Sequence, residues 1–168
     1  MKILISAYSL DYTGVPVYTL TLYRELKELG HEVSVYSPGG GPLSGLMDTH
    51  THFDKLAIPD VILAQANKCA EWMKGAFPGV PMIFLNHGVL PELEQPPRIP
   101  IDWYIAINEQ SVDLLVRQHV EVAKIDIVRD FVDTDLYKPV NSLRESPRIL
   151  FLSNYKKWKT YDVVEGAC

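Results

Sequence analysis

Cysteine is scarce in this sequence: Cys69 and Cys168 are the two in 168 residues. That is too few for a disulfide framework and suits a reducing compartment. A basic excess is also missing. Sixteen Lys and Arg stand against 21 Asp and Glu, a net charge of −5, which argues against nucleic acid as the main partner, because a phosphate backbone calls for a basic face. No apolar run approaches the length that spans a bilayer. Met1 leads directly into strand character, without the charged region, apolar core and small-residue cleavage site of a secretory signal. The expectation is a soluble, cytoplasmic protein. Glycine-rich phosphate motifs are lacking too. Gly14 stands alone where the dinucleotide fingerprint needs three glycines, and Ser37-Pro38 occupies the place of a ribose-binding acid. The Gly39-Gly40-Gly41 run is not followed by the Lys-Ser or Lys-Thr of a P-loop.

What is present is an apolar content of 47%, enough for a globular chain with a sizeable core. Lys2 to Tyr8 is a short apolar run of the kind buried on both faces of a parallel sheet. After the loop Ser9 to Gly14, the residues Val15, Tyr18, Leu22, Leu26 and Leu29 recur at spacings of three and four and predict a helix with one apolar side. Pro16 suits its first turn, and Gly30 suits the left-handed position that ends it. His31 to Tyr36 resumes as a strand. This βαβ unit delivers a helix N-terminus to the carboxyl edge of a sheet, where doubly wound proteins bind phosphorylated ligands. Gly14 has two readings there: close approach of a ligand to the backbone, or a tight turn only.

Further strands are predicted at Asp60–Gln65, Pro81–Asn86, Asp102–Ile107 and Lys124–Val128, the last short and at an edge. Helices are predicted from Asn67 to Phe77, with Cys69, Trp72, Met73 and Phe77 on the core side, and from Ser111 to His119, with Val112, Leu115, Val116 and His119 at helical spacing. Asn108 is placed to cap the latter. Ser37 to Gly45 is a flexible loop by composition, and Pro91 to Pro100, with four prolines, is a crossover. His50 and His52, with Asp54 nearby, would share one side of an extended segment, but no third ligand has metal-site spacing, so a solvated irregular segment is expected and no metal is assigned. A linker then runs to Pro147, and Arg148–Ser153 begins a new strand followed by a basic loop and the start of a helix.

The succession Met1-Lys2-Ile3-Leu4-Ile5, Gly14, Leu29-Gly30-His31-Glu32-Val33, Pro59-Asp60-Val61-Ile62, His87-Gly88, Asn108-Glu109 and Val132 to Pro139 resembles the N-terminal half of a family-4-like glycosyltransferase of the GT-B fold. The resemblance implies an α/β, Rossmann-like parallel sheet with helices on both faces. Residues 1–140 would form the N-terminal, acceptor-side domain, 141–147 a linker, and 148–168 the truncated start of a donor-binding domain supplied in cis. It implies transfer of a glycosyl group from a nucleotide-diphosphate sugar to an acceptor hydroxyl, with retention, without a metal or other cofactor. The acceptor would be a sugar, a glycan or a lipid-linked molecule. The negative charge and the lack of a basic amphipathic helix count against a membrane-surface role. A truncated chain would fold but be inactive alone.

The resemblance places His87 by the reacting sugar, as the catalytic candidate; an imidazole there would hydrogen-bond a sugar hydroxyl or orient the acceptor, unless it only caps a turn. Donor contacts fall on Thr13, Gly14, Asn154, Lys156 and Lys159, and acceptor contacts on Asp11, Tyr12, Gly88, Asn108 and Glu109, unless Asp11 to Thr13 and the lysines are only solvated loops and Asn108 only a helix cap. Arg129 and Asp130, at the end of the Lys124–Val128 strand near the cleft, read as part of a salt bridge at the interdomain hinge. Departures from the family pattern are Thr13-Gly14 in place of a glycine pair, Asp130-Phe131 in place of Asn-Gly, and Asn154 in place of a basic residue, for which Lys156 or Lys157 would substitute. The paired glutamates that contact donor sugar and ribose do not occur. These departures leave a second class open: a stand-alone Rossmann-like binding or interaction module without catalysis.

Overall fold

The computed structural model describes residues 1–89, 91–134, 137 and 138. The chain divides into two compact units, Met1–Thr134 and Asp135–Cys168. The expected linker and the strand from Arg148, with Asn154, Lys156, Lys157 and Lys159, lie outside the described residues.

The first unit is built on one parallel sheet. Its strands are β1 (Lys2–Ser6), β2 (Glu32–Tyr36), β3 (Thr49–His50), β4 (Val61–Ala64), β5 (Met82–Asn86), β6 (Trp103–Ala106) and β7 (Ile125–Ile127). Its helices are α1 (Gly14–Glu28), α2 (Asn67–Ala76) and α3 (Glu109–Arg117). The strand order is β3-β2-β1-β4-β5-β6-β7, and every pairing is parallel. The chain winds outward from β1 in one direction and from β4 in the other. The order therefore reverses between β1 and β4, which makes their carboxyl ends the topological switch point of the sheet.

Alternation along the strands divides the core in two. Leu4, Ile62, Ala64, Phe84, Tyr104 and Ala106 face α2 and α3, which contribute Cys69, Ala70, Met73 and Leu115. Ile3, Ile5, Val33 and Val35 face the other way, against Tyr23 and the partly buried Leu20, Leu22 and Leu26 of α1. Helices thus cover both faces, as the sequence implies. Full burial of a side chain such as Phe84 or Leu4 contributes roughly 1.5–3 kcal/mol.

Local signals set the helix ends. Gly30 takes φ 83°, while the N–H groups of Gly30 and His31 donate to Lys27 and Leu26 carbonyls at 3.0 and 3.1 Å. This is the double closure of a Schellman end. α3 ends the same way through His119 at φ 66°, with His119 and Val120 donating to Val116 and Leu115. Asn108 caps α3, its side-chain oxygen accepting from the Ser111 N–H at 2.9 Å.

Several expectations are corrected. The segment expected to be irregular contains β3, which pairs Thr49 and His50 with Val35 and Tyr36. The buried line of α1 is Pro16, Thr19 and Tyr23, and Leu29 is exposed because the helix has ended there. Trp72 is exposed rather than core: the α2 face that meets the sheet is Cys69, Ala70 and Met73, and the indole stacks on Tyr8 at 6.4 Å. Val116 is exposed, and His119 is exposed beyond the helix end. The glycine run is stitched to the loop after β1. Leu10 N–H donates to Gly40 at 2.6 Å, Leu43 N–H to Leu10 at 3.1 Å and Gly39 N–H to Tyr8 at 3.0 Å, which buries Leu10. Gly41 has φ 143°, and a Cβ there would stand 2.5 Å from the Leu10 carbonyl. These contacts require glycine.

Candidate functional site

A buried polar group gathers at the carboxyl ends of β4 and β5, beneath the first turns of α1. Gln65 follows β4 and is 1% exposed. Its backbone N–H donates to Ser6 at 2.9 Å, which fixes it beside the end of β1. Its Oε1 lies 2.9 Å from Nε2 of His87, the residue after β5, and 3.2 Å from Thr19 Oγ1 on α1. The Thr19 hydroxyl also reaches back to the Val15 carbonyl at 2.8 Å. The amide nitrogen of Gln65 is buried without a hydrogen-bond partner among the described residues.

Aromatic rings close the group. Tyr18 meets the His87 imidazole edge-on, with centroids 4.8 Å apart, and lies 4.7 Å from the ring of Phe131. Burial holds the His87 pKa down at about 4, so the imidazole is neutral at pH 7. Burial, with the Asp130 carboxylate adding to it, pushes the Tyr18 phenol up to about 12. Burial also raises the Asp130 pKa. A neutral imidazole and a protonated phenol can donate and accept hydrogen bonds there, without placing a fixed charge in the site.

The other candidates are placed as follows. Asp11, Tyr12 and Thr13 are exposed on the loop before α1. Thr13 occupies the N-cap position with extended backbone but makes no capping hydrogen bond through its side chain, and no acid occupies the first turn of α1. That helix end keeps its partial positive charge uncompensated by its own side chains. Gly14 does not adopt positive φ, and a Cβ built on it would meet nothing within 4 Å. The turn therefore does not require this glycine. Gly88, by contrast, lies so close to Glu94 that a Cβ would overlap the carboxylate. Beside it the buried Asn86 donates to the Glu94 carbonyl at 2.6 Å. Asn108 is occupied as a cap. Glu109 pairs with Arg129 at 3.0 Å on the surface. Arg129 thus forms a salt bridge, with Glu109 as its partner, while Asp130 acts on Tyr18.

Of the residues singled out from sequence, His87 is the one the structure draws into this group. Gln65, Thr19, Tyr18 and Phe131 were missed. Gln65 carried a signal: a polar residue closing the apolar run Val61-Ile62-Leu63-Ala64 at the ligand-binding edge. Thr19 and Tyr18 carried none, because a helix periodicity does not say what stands opposite.

His50 and His52, with Thr49, Thr51 and Lys55, line a separate cavity of about 210 Å³, where His50 Nε2 lies 3.3 Å from Asp48. Among the described residues no group of three or more His, Cys, Asp or Glu is arranged to hold a metal ion. Cys69 is fully buried and its thiol is pushed up to about 12, so it is a core side chain rather than a nucleophile. No helix of the described residues is long and apolar enough to cross a membrane.

The fold is shared with solved structures of Anabaena Alr3699/HepE, in complex with UDP-glucose, with UDP, and with UDP and glucose. The superpositions have TM-scores of 0.64, 0.65 and 0.64 at 15% sequence identity. They cover 84% of this chain and 47% of the Anabaena protein, so the chain spans about half the length of the structures it matches. No protein-family model and no curated protein sequence matches it.

Proposed function

We propose that this chain is the acceptor-side half of a glycosyltransferase of the GT-B type, whose donor-binding half is a second domain in cis. The complete protein moves a glycosyl group from a nucleotide-diphosphate sugar to an acceptor hydroxyl. The bond from the anomeric carbon to the diphosphate oxygen breaks, a bond to the acceptor oxygen forms with retained configuration, and the acceptor proton leaves with the diphosphate or to solvent. The observation that carries this reading is the buried His87–Gln65–Thr19 group at the switch point of the sheet, beside an uncapped helix N-terminus. The shared fold with a protein solved with UDP-glucose supports it.

In this reading His87 meets the reacting sugar. Thr13, Gly14 and the α1 N-terminus face the diphosphate, where negative charge grows during transfer and fixed N–H dipoles stabilise it. Asn154, Lys156 and Lys159, which lie outside the described residues, are also assigned to donor binding. Asp11, Tyr12, Gly88, Asn108 and Glu109 border the acceptor, a sugar, glycan or lipid-linked hydroxyl. No metal takes part, and the enzyme works in the cytoplasm.

The test is to express the complete reading frame that contains this chain and assay release of nucleoside diphosphate from a panel of UDP-, GDP- and ADP-sugars with sugar acceptors. Turnover of one donor, lost in His87→Ala, is the expected result. Failure of every nucleotide sugar to turn over or bind would leave the interaction-module reading in its place. The 168-residue chain alone is expected to bind nucleoside diphosphates weakly or not at all, and micromolar affinity would contradict the division of the site between two domains.

A further inference from the structure

We propose that Gln65 is a positioning residue that holds His87 as the Nδ1–H tautomer, so that the imidazole serves the site as a neutral hydrogen-bond donor. The argument is a proton count. The Thr19 hydroxyl has one proton, and the 2.8 Å contact inside α1 gives it to the Val15 carbonyl. The carboxamide atom 3.2 Å from Thr19 Oγ1 must then be a donor. With an oxygen in that place, Thr19 Oγ1 gains no partner, and both amide protons of Gln65 sit sealed in the core with none. A half-turn about the last side-chain bond exchanges the two atoms without moving any other group. One amide proton then reaches Thr19 Oγ1 and the other reaches His87 Nε2 at 2.9 Å. Both donors are satisfied, and a carbonyl oxygen, the less costly group to leave unpaired, takes the buried position instead.

The consequence falls on His87. Its Nε2 accepts from Gln65, so the proton of the neutral ring is on Nδ1. Nδ1 is not among the sealed polar atoms, His87 is partly exposed, and Nδ1 has no partner among the described residues. The edge open to a ligand is therefore an N–H. The titratable groups identified around the ring are Tyr18, edge-on from α1, and Asp130, which acts on Tyr18. Neither supplies a hydrogen bond that would compete with Gln65 for Nε2. Resting on the glycosyltransferase reading, the oxygen that receives Nδ1–H belongs to the donor, a sugar hydroxyl or a diphosphate oxygen. His87 is then a donor that orients the ligand and not a base that deprotonates the acceptor.

The experiment is long-range proton–nitrogen NMR on the full 168-residue chain labelled at histidine, at pH 7.5, with His87 assigned by its loss in His87→Gln. The expected spectrum has a protonated, pyrrole-like Nδ1 and an unprotonated Nε2. A protonated Nε2 in the wild-type protein overturns the proposal, and that measurement needs no variant. Gln65→Glu replaces the amide donor by a carboxylate acceptor and is expected to place a proton on Nε2; an Nε2 that stays unprotonated in that variant also overturns the role of Gln65. In the complete protein Gln65→Glu is expected to lower kcat about tenfold or more with a smaller change in acceptor KM, as loss of one oriented hydrogen-bond donor does. Inactivity of the complete wild-type protein would end the transferase reading while the tautomer, read in the unliganded chain, stands on its own spectrum.

Discussion

The ring of Tyr18 stands edge-on to the imidazole of His87, centroids 4.8 Å apart and planes at 74°. One residue comes from the first helix and the other from the end of the fifth strand, so this contact fastens α1 over the carboxyl edge of the sheet. It also shields His87 from water, which is why protonating the ring is unfavourable in the folded protein.

That shielding gives a pH prediction. His87 has a folded pKa near 4, against an ordinary value of about 6.5 in the unfolded chain. Between those values the unfolded state binds the extra proton, so stability rises with pH across that window and is fully present above about 6.5. Acidification from pH 7 to 4 is expected to remove up to about 3 kcal/mol through this group. Histidine ring-proton NMR reads the titration directly, and urea unfolding at several pH values reads the slope. A His87 midpoint near 6.5 would show that the ring is open to solvent.

The glycines at positions 14 and 41 are expected to respond in opposite ways. Gly41→Ala forces a side chain against the Leu10 carbonyl at positive φ and should cost at least about 2 kcal/mol, with loss of the packed loop. Gly14→Ala meets open space at the first position of α1 and should leave stability unchanged or raise it by up to about 1 kcal/mol. If the complete protein nonetheless loses turnover in Gly14→Ala, the open space at this position belongs to a ligand. Thermal unfolding and a donor assay on the same two variants separate the effects.

Two polar contacts at the start of α3 differ in worth. Asn108→Ala removes the cap on the Ser111 N–H, and the expected loss is about 1 kcal/mol. Arg129→Ala removes a pair whose side chains are 75% and 70% exposed, and stability should change by less than about 0.5 kcal/mol. Urea denaturation midpoints of the two variants test the contrast.

His119 offers a stabilising substitution. A non-glycine residue at φ 66° carries a penalty of roughly 1 kcal/mol. His119→Gly keeps both closing hydrogen bonds of α3 and is expected to stabilise by about that amount, a rise of roughly 2–4 °C in melting temperature for a chain of this size. A fall would mean that the His119 side chain contributes more than its backbone strain costs.

The core has a steeper scale. Leu115 is fully buried between α3 and the sheet, and Leu115→Ala is expected to cost 2–5 kcal/mol, or roughly 5–20 °C in melting temperature.

What the sequence determined by itself is whatever depends on near neighbours. The apolar runs marked β1, β2, β4, β5, β6 and β7. Gly30 closed α1 because only its own backbone has to turn left-handed, and Asn108 capped α3 because the partner is three residues away. The parallel sheet with helices on both faces follows from the alternation of these elements. The two-residue β3 was not legible, since two residues have no periodicity and its pairing depends on where β2 has already been placed. Trp72 pointed outward because the same helical spacing fits more than one face, and the sheet chooses the face; Leu29 is exposed because α1 has already ended at Glu28. The group around His87 was decided only by tertiary structure. Gln65, Thr19 and His87 are far apart in the chain, and it is the strand order β1-β4-β5 that brings the ends of β4 and β5 beside the end of β1 and the first turns of α1. The burial that keeps His87 neutral has the same origin.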